Sequence, residues 1–208
     1  TNLDSLGRLQ IIDGDLDLEF NYALLDIDGL SELQTLGGSF SLTDNDFIQN
    51  IDSLSNLTTI NGELRIFSND GLVNLDGLSN VTTLQGDLFI SSNDALEHID
   101  GLSSLSIIAD GIKIYSNDNI SNIDSLSNLT NISGGIKLYF NDALTNIDGF
   151  SGLNNLSGDL LIGSNASLER IDVLMNLQNF DGELGISNNA SLCASQPYIL
   201  LSHIQSLG

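Results

Sequence analysis

Apolar residues recur along the chain at an interval of 24 residues: Leu3, Ile27, Ile51, Leu75, Ile99, Ile123, Ile147 and Ile171 fall in step, and an aspartate follows each of them. A unit this short cannot bury its apolar face alone, so copies must stack, and the repeat decides the architecture ahead of any local propensity. Counted from that first residue, the apolar positions of a repeat are 1, 4, 7, 10, 14, 16 and 22; in the fourth repeat these are Leu75, Leu78, Val81, Leu84, Leu88, Ile90 and Leu96. Alternation at positions 14 and 16 is the two-residue period of a short strand, whereas the three-residue spacing from position 22 round to position 10 suits a tight, turning path. Each coil is thus expected to contribute one strand to one parallel sheet. The fold class is an all-β-rich solenoid of eight coils over residues 1–194 with a cap of the same domain over 195–208, which leaves no room for a second domain.

Two further positions are as regular as the core. Position 19 is asparagine in all eight coils (Asn21, Asn45, Asn69, Asn93, Asn117, Asn141, Asn165 and Asn189). An amide offers donors and acceptors, so stacked copies can bond one another and the backbone groups freed where the strand bends, forming an asparagine ladder. Position 12 is glycine in seven coils, which fits a corner needing positive φ or a close approach. The fifth coil has Asp110 there with Gly111 beside it, so its corner is expected to be remodelled.

The run Leu88-Phe89-Ile90-Ser91-Ser92-Asn93-Asp94-Ala95-Leu96 fits the leucine-rich-repeat core L-x-L-x-x-N-x-x-L. The connecting phrase, Ile-Asp-Gly-Leu-Ser-x-Leu followed by Ile-x-Gly, more closely resembles receptor L domains and their relatives in microbial cell-surface proteins. This resemblance covers nearly the whole chain. It implies a right-handed coil with one parallel sheet, in a secreted or surface-attached protein that binds a ligand; with no catalytic constellation in its residues, the chain is expected to be a binding module and not an enzyme. The ligand stays open, because function on such scaffolds lies in the exposed positions.

Those positions are 15 and 17, which point outward along the strand. Three of the five basic residues of the chain occupy position 15: Arg65, Lys113 and Lys137, in coils three, five and six. Aromatic residues gather in the same coils, with Phe67, Phe89, Tyr115 and Tyr139 on the outward positions and Phe140 beside them, while Phe40, Phe150 and Phe180 take core positions. Coils about 4.8 Å apart place the four coils within roughly 15 Å. These eight residues form the candidate ligand-binding face, basic and aromatic on an acidic body. Rings with a few polar hooks suit a carbohydrate or a protein ligand, and the bases suit an anionic group. Two other uses of the same residues are a ring ladder that stabilises the sheet and a homodimer through that face.

Charge narrows the partners. Five Lys and Arg against 28 Asp and Glu give a formal charge of −23, which repels phosphate backbones, so nucleic acid is not an expected partner. No run approaches the roughly 18 apolar residues that direct membrane insertion requires, and the acid excess suits an extracellular or cell-surface location. Aspartate fills position 2 in every coil and position 20 in coils two to six, from Asp46 to Asp142. Such columns need local partners, expected to be backbone N–H groups at the turns; calcium is the alternative, although no calcium-binding nonapeptide or EF-hand loop occurs. No other cofactor is implied. His98 and His203 are too isolated to suggest a pair, and no nucleophile elbow or zinc spacing appears.

Smaller signals complete the reading. Cys193 reads as a buried thiol, and threonines at Thr58, Thr59, Thr82 and Thr83 fill adjacent positions in only two coils, too short an array for ice binding. Of eight Asn-x-Ser/Thr triplets, those at Asn165 and Asn189 fall on the ladder and are expected to be inaccessible. Beyond Leu192 the repeat breaks down, and Pro197 followed by Tyr198, Leu201, Ile204 and Leu207 suggests a capping helix with those residues as its apolar face. The beginning has no comparable cover, so further coils or a cap are expected upstream.

Overall fold

A computed structural model describes residues 3–207. Every coil follows one path. In the second, a 3-10 helix opens at the position-2 aspartate (Asp28–Leu30), a two-residue strand follows (Thr35–Leu36), and a four-residue strand completes the turn (Phe40–Thr43). Strands pair in parallel with their counterparts one coil away, so that Lys113 faces Lys137 and Tyr115 faces Tyr139. The coils build two eight-stranded parallel sheets where one was expected. The overlooked strand is two residues long, and an alternation cannot be read from two residues.

The seven apolar columns meet between the sheets and the 3-10 helices. In the fourth coil Leu75, Leu78, Val81, Leu84, Leu88, Ile90 and Leu96 are all 0% exposed. Each such side chain stabilises the fold by about 1.5–3 kcal/mol on burial.

A bend that the sequence gives no sign of links the long strand to the next turn. Position 18 takes the left-handed conformation in all eight coils, with Phe20 at φ 57°, Ser92 at 58° and Phe140 at 58°, and none of these residues is glycine. The adjoining asparagine holds the bend. Asn117 Nδ2 donates to the carbonyls of Ile90 (3.1 Å) and Tyr115 (2.8 Å), and its Oδ1 accepts the Asn93 backbone N–H at 3.2 Å. The ladder runs in this way from Asn45 to Asn189. Asn21 is exposed and outside it, which leaves the buried Asn45 Oδ1 without a hydrogen-bond partner.

At position 12 the need is close approach: a Cβ on Gly86 would lie 2.7 Å from the Glu63 backbone nitrogen. The corner expected to change at Asp110 changes one coil later. Asp110 keeps register by accepting the Gly134 N–H at 3.0 Å, and Gly135 turns to φ 90°. Among the described residues the start of the 3-10 helix is capped from position 24, where Asn74 Oδ1 accepts the Asp76 N–H at 3.0 Å and Asn146 Oδ1 that of Asp148 at 2.9 Å, while in the position-20 column Asp142 Oδ1 accepts the Ala166 N–H at 3.3 Å. The position-2 aspartates sit in the first turn of each 3-10 helix.

The C-terminal helix, Ser195–Ser206, covers the last coil. Its inward residue is Leu200, with Ile204 and Leu207 packed beside it, whereas Tyr198 is 73% exposed; the expected apolar face is rotated by part of a turn. Polar anchors set that rotation. Gln196 Oε1 accepts the Ile171 N–H (2.8 Å), its Nε2 donates to the Glu169 carbonyl (2.9 Å), and His203 Nε2 bonds the Leu177 carbonyl (2.8 Å). Cys193, expected to be buried, is exposed beside Ser195, whose hydroxyl lies 3.2 Å away and pulls the thiol pKa down.

Candidate functional site

All eight candidate residues lie on four adjacent long strands or directly after them: Leu64–Phe67, Leu88–Ser91, Ile112–Tyr115 and Ile136–Tyr139, with Phe140 at the following bend. The parallel register brings their rings into one continuous row. Phe67 meets Phe89 at 6.2 Å between centroids and 68°, and Phe89 meets Tyr115 at 6.0 Å and 82°, both edge-on. Tyr115 meets Tyr139 at 6.0 Å and 43°, and Tyr139 meets Phe140 at 6.2 Å and 37°. Edge-to-face contacts of this kind are worth about 0.5–1.5 kcal/mol each beyond burial.

The row covers its small neighbours. Ser91 faces Phe67 on one side and Tyr115 on the other, and it is 6% exposed although its position points outward. At the far end the sequence supplies room: a Cβ on Gly163 would stand 2.7 Å from Tyr139 Cε1, so the Tyr139 ring lies over the glycine. Phe140 is 56% exposed and holds a positive φ that bulky side chains rarely adopt.

The bases are less free than the sequence suggests. The Arg65 guanidinium lies 4.2 Å above the Phe89 ring and 5.1 Å from that of Phe67, with Glu63 at 4.0 Å. Lys113 Nζ donates to Asp87 Oδ2 at 2.5 Å, and this hydrogen bond holds the lysine pKa above its ordinary value. Burial pushes the Tyr115 hydroxyl pKa up, so it stays a neutral donor at physiological pH. Lys137 differs: among the described residues it has no ion pair and no hydrogen bond of its side chain. The face is therefore an aromatic strip with one uncommitted cation.

Sequence reasoning passed over a second exposed pair, Phe20 and Tyr22, with centroids 6.4 Å apart in the first coil. Both fall outside positions 15 and 17, and only the left-handed bend turns them together. Thr59 and Thr83, with Thr35, lie on the short-strand sheet, away from the ring row. The position-20 acids stand close enough that Asp70 has a raised pKa, through partial burial first and then the charges of Asp94, Asp46 and Asp44. No group of three or more His, Cys, Asp or Glu is arranged to hold a metal among the described residues. No helix among them is long and apolar enough to cross a membrane.

A comparison with curated proteins gives no match. A comparison with family models matches residues 80–205 to the receptor L domain, a span that takes in three of the four ring-row strands, the ladder from Asn93 to Asn189 and nearly all of the capping helix. With well over half its length matched and the repeat continuing unbroken before it, the chain belongs to the receptor L domain family.

Proposed function

We propose that this domain is a non-catalytic extracellular or cell-surface recognition module that binds a protein or carbohydrate ligand through the outward face of the long-strand sheet in coils three to six. Receptor L domains are ligand-binding modules of extracellular receptors. The observation that carries the placement is the row Phe67, Phe89, Tyr115, Tyr139 and Phe140, five rings in mutual contact on the exposed side of one sheet. Aromatic side chains and arginine are the residue types that dominate binding hot spots, and among the described residues this row is the longest run of rings in contact, on an otherwise acidic solenoid.

The test is binding of the purified domain to immobilised polysaccharides and surface proteins beside the triple variant Phe89→Ala, Tyr115→Ala, Tyr139→Ala. Binding that the folded variant loses supports the reading. A panel blank for both proteins, with the variant shifted from dimer to monomer, makes the face an assembly surface. A blank panel with only a fall in melting temperature makes it a stabilising ring ladder.

A further inference from the structure

The uncommitted cation of this face follows from two glycines. Position 13 is where the fold supplies counter-ions to position 15: Lys113 reaches back 26 residues to Asp87, and Arg65 pairs with Glu63 of its own coil. For Lys137 the corresponding positions are Gly111 and Gly135, which have no side chain. The remodelled corner keeps them bare. Gly135 sits at φ 90°, and a Cβ on Gly111 would lie 2.8 Å from the Gly135 carbonyl oxygen. Lys137 also pairs in register with Lys113, a like-charge neighbour that alone would be unfavourable. A lysine held there without a counter-ion, on a chain of charge −23, is a place for an anionic group from outside.

Beside it, on the same strand and at the bend that follows, the surface is aromatic. Tyr139 lies over Gly163, tilted by 37° from the exposed Phe140 ring. A ring face next to a single cation fits a sugar residue that stacks its apolar side on the tyrosine and turns a carboxylate toward the lysine. A polyanion does not fit, because a single free lysine cannot offset the repulsion from a chain of charge −23. Resting on the recognition face proposed above, we infer that the ligand is a mainly neutral glycan bearing an isolated carboxylate, a uronic acid, which takes the counter-ion place at Lys137 while its ring stacks on Tyr139.

The test uses oligosaccharides ending in glucuronate, galacturonate or mannuronate, each beside the same molecule with the carboxyl reduced to an alcohol, titrated against the isotope-labelled domain by NMR. For at least one pair the acid form binds about tenfold more tightly than the reduced form, an effect of the size expected for a single charge-assisted hydrogen bond. Lys137→Met removes that preference and leaves affinity for the reduced form unchanged, while Tyr139→Ala weakens both. No acid preference in any pair, or a preference that Lys137→Met retains, overturns the inference. If those results come with binding lost in the triple ring variant, the recognition face stands and only the uronic acid falls. Lysine-dependent binding of an acidic peptide, with no sugar bound, also overturns the choice of a glycan.

Discussion

Replacing Asn117 by alanine tests the asparagine ladder where it is fully engaged. The substitution removes the acceptor for the buried Asn93 backbone N–H and the donor shared by the Ile90 and Tyr115 carbonyls. The Tyr115 carbonyl keeps a bond from the Ser92 N–H, so the chief loss is one buried donor left without a partner and one carbonyl less well bonded. A buried polar group stripped of its partner costs about 1–3 kcal/mol, which puts the whole effect at roughly 2–5 kcal/mol. For a domain of this size each kcal/mol moves the melting temperature by about 2–4 °C, so a fall of about 10 °C is expected. Asn21→Ala provides the control, since Asn21 is exposed and outside the ladder, and its cost should stay within about 0.5 kcal/mol. Urea unfolding followed by circular dichroism and by tyrosine fluorescence gives both values and shows whether the transition remains cooperative. Equal losses in the two variants would refute the claim that the stacked amides, and not asparagine at a turn as such, hold the bend.

Three further outcomes follow from individual contacts. Gly101→Ala places a Cβ 1.8 Å from the Leu75 carbonyl oxygen and should destabilise by more than about 2 kcal/mol, while Gly14→Ala, with nothing within 4 Å, should be neutral in the same melting experiment. Phe140→Asn relieves a positive φ and should gain about 1 kcal/mol in stability while weakening any ligand bound on the ring row; a loss of stability instead would show that its contact with Tyr139 outweighs the strain. The folded-state pKa of Asp70 is raised, so its contribution to stability is fully present below the unfolded pKa and is lost as pH rises through the folded value. Asp70→Asn should therefore raise the melting temperature slightly at pH 7 and leave it unchanged at pH 3, and added salt should shrink the difference.

The eight candidate residues show how far position in a repeat goes toward a site. Their alignment was legible because parallel register turns equal spacing in sequence into adjacency in space, which sets Tyr115 against Tyr139; the diagonal contacts of Phe89 with Phe67 and Tyr115, and that of Tyr139 with Phe140 at the bend, were decided by side-chain geometry. Their charge was not legible. Arg65 and Lys113 count as bases in the sequence, yet one is stacked on rings with Glu63 nearby and the other is bonded to Asp87, and only the geometry of position 13 separates them from Lys137. Cys193 likewise had apolar neighbours in sequence but none that cover it in space.

The 24-residue period alone determined that the chain coils, which columns are buried, and that asparagine stacks on asparagine, because any other arrangement would leave every repeat's apolar face in water. Tertiary structure decided the rest. The second sheet rests on two residues per coil, the position-18 bend on eight non-glycine residues held at positive φ, and the cap's orientation on Gln196 and His203 reaching backbone groups of the last coil. Each is set by hydrogen bonds between residues distant along the chain, and their energies depend on distances that no local pattern of apolar and polar residues encodes.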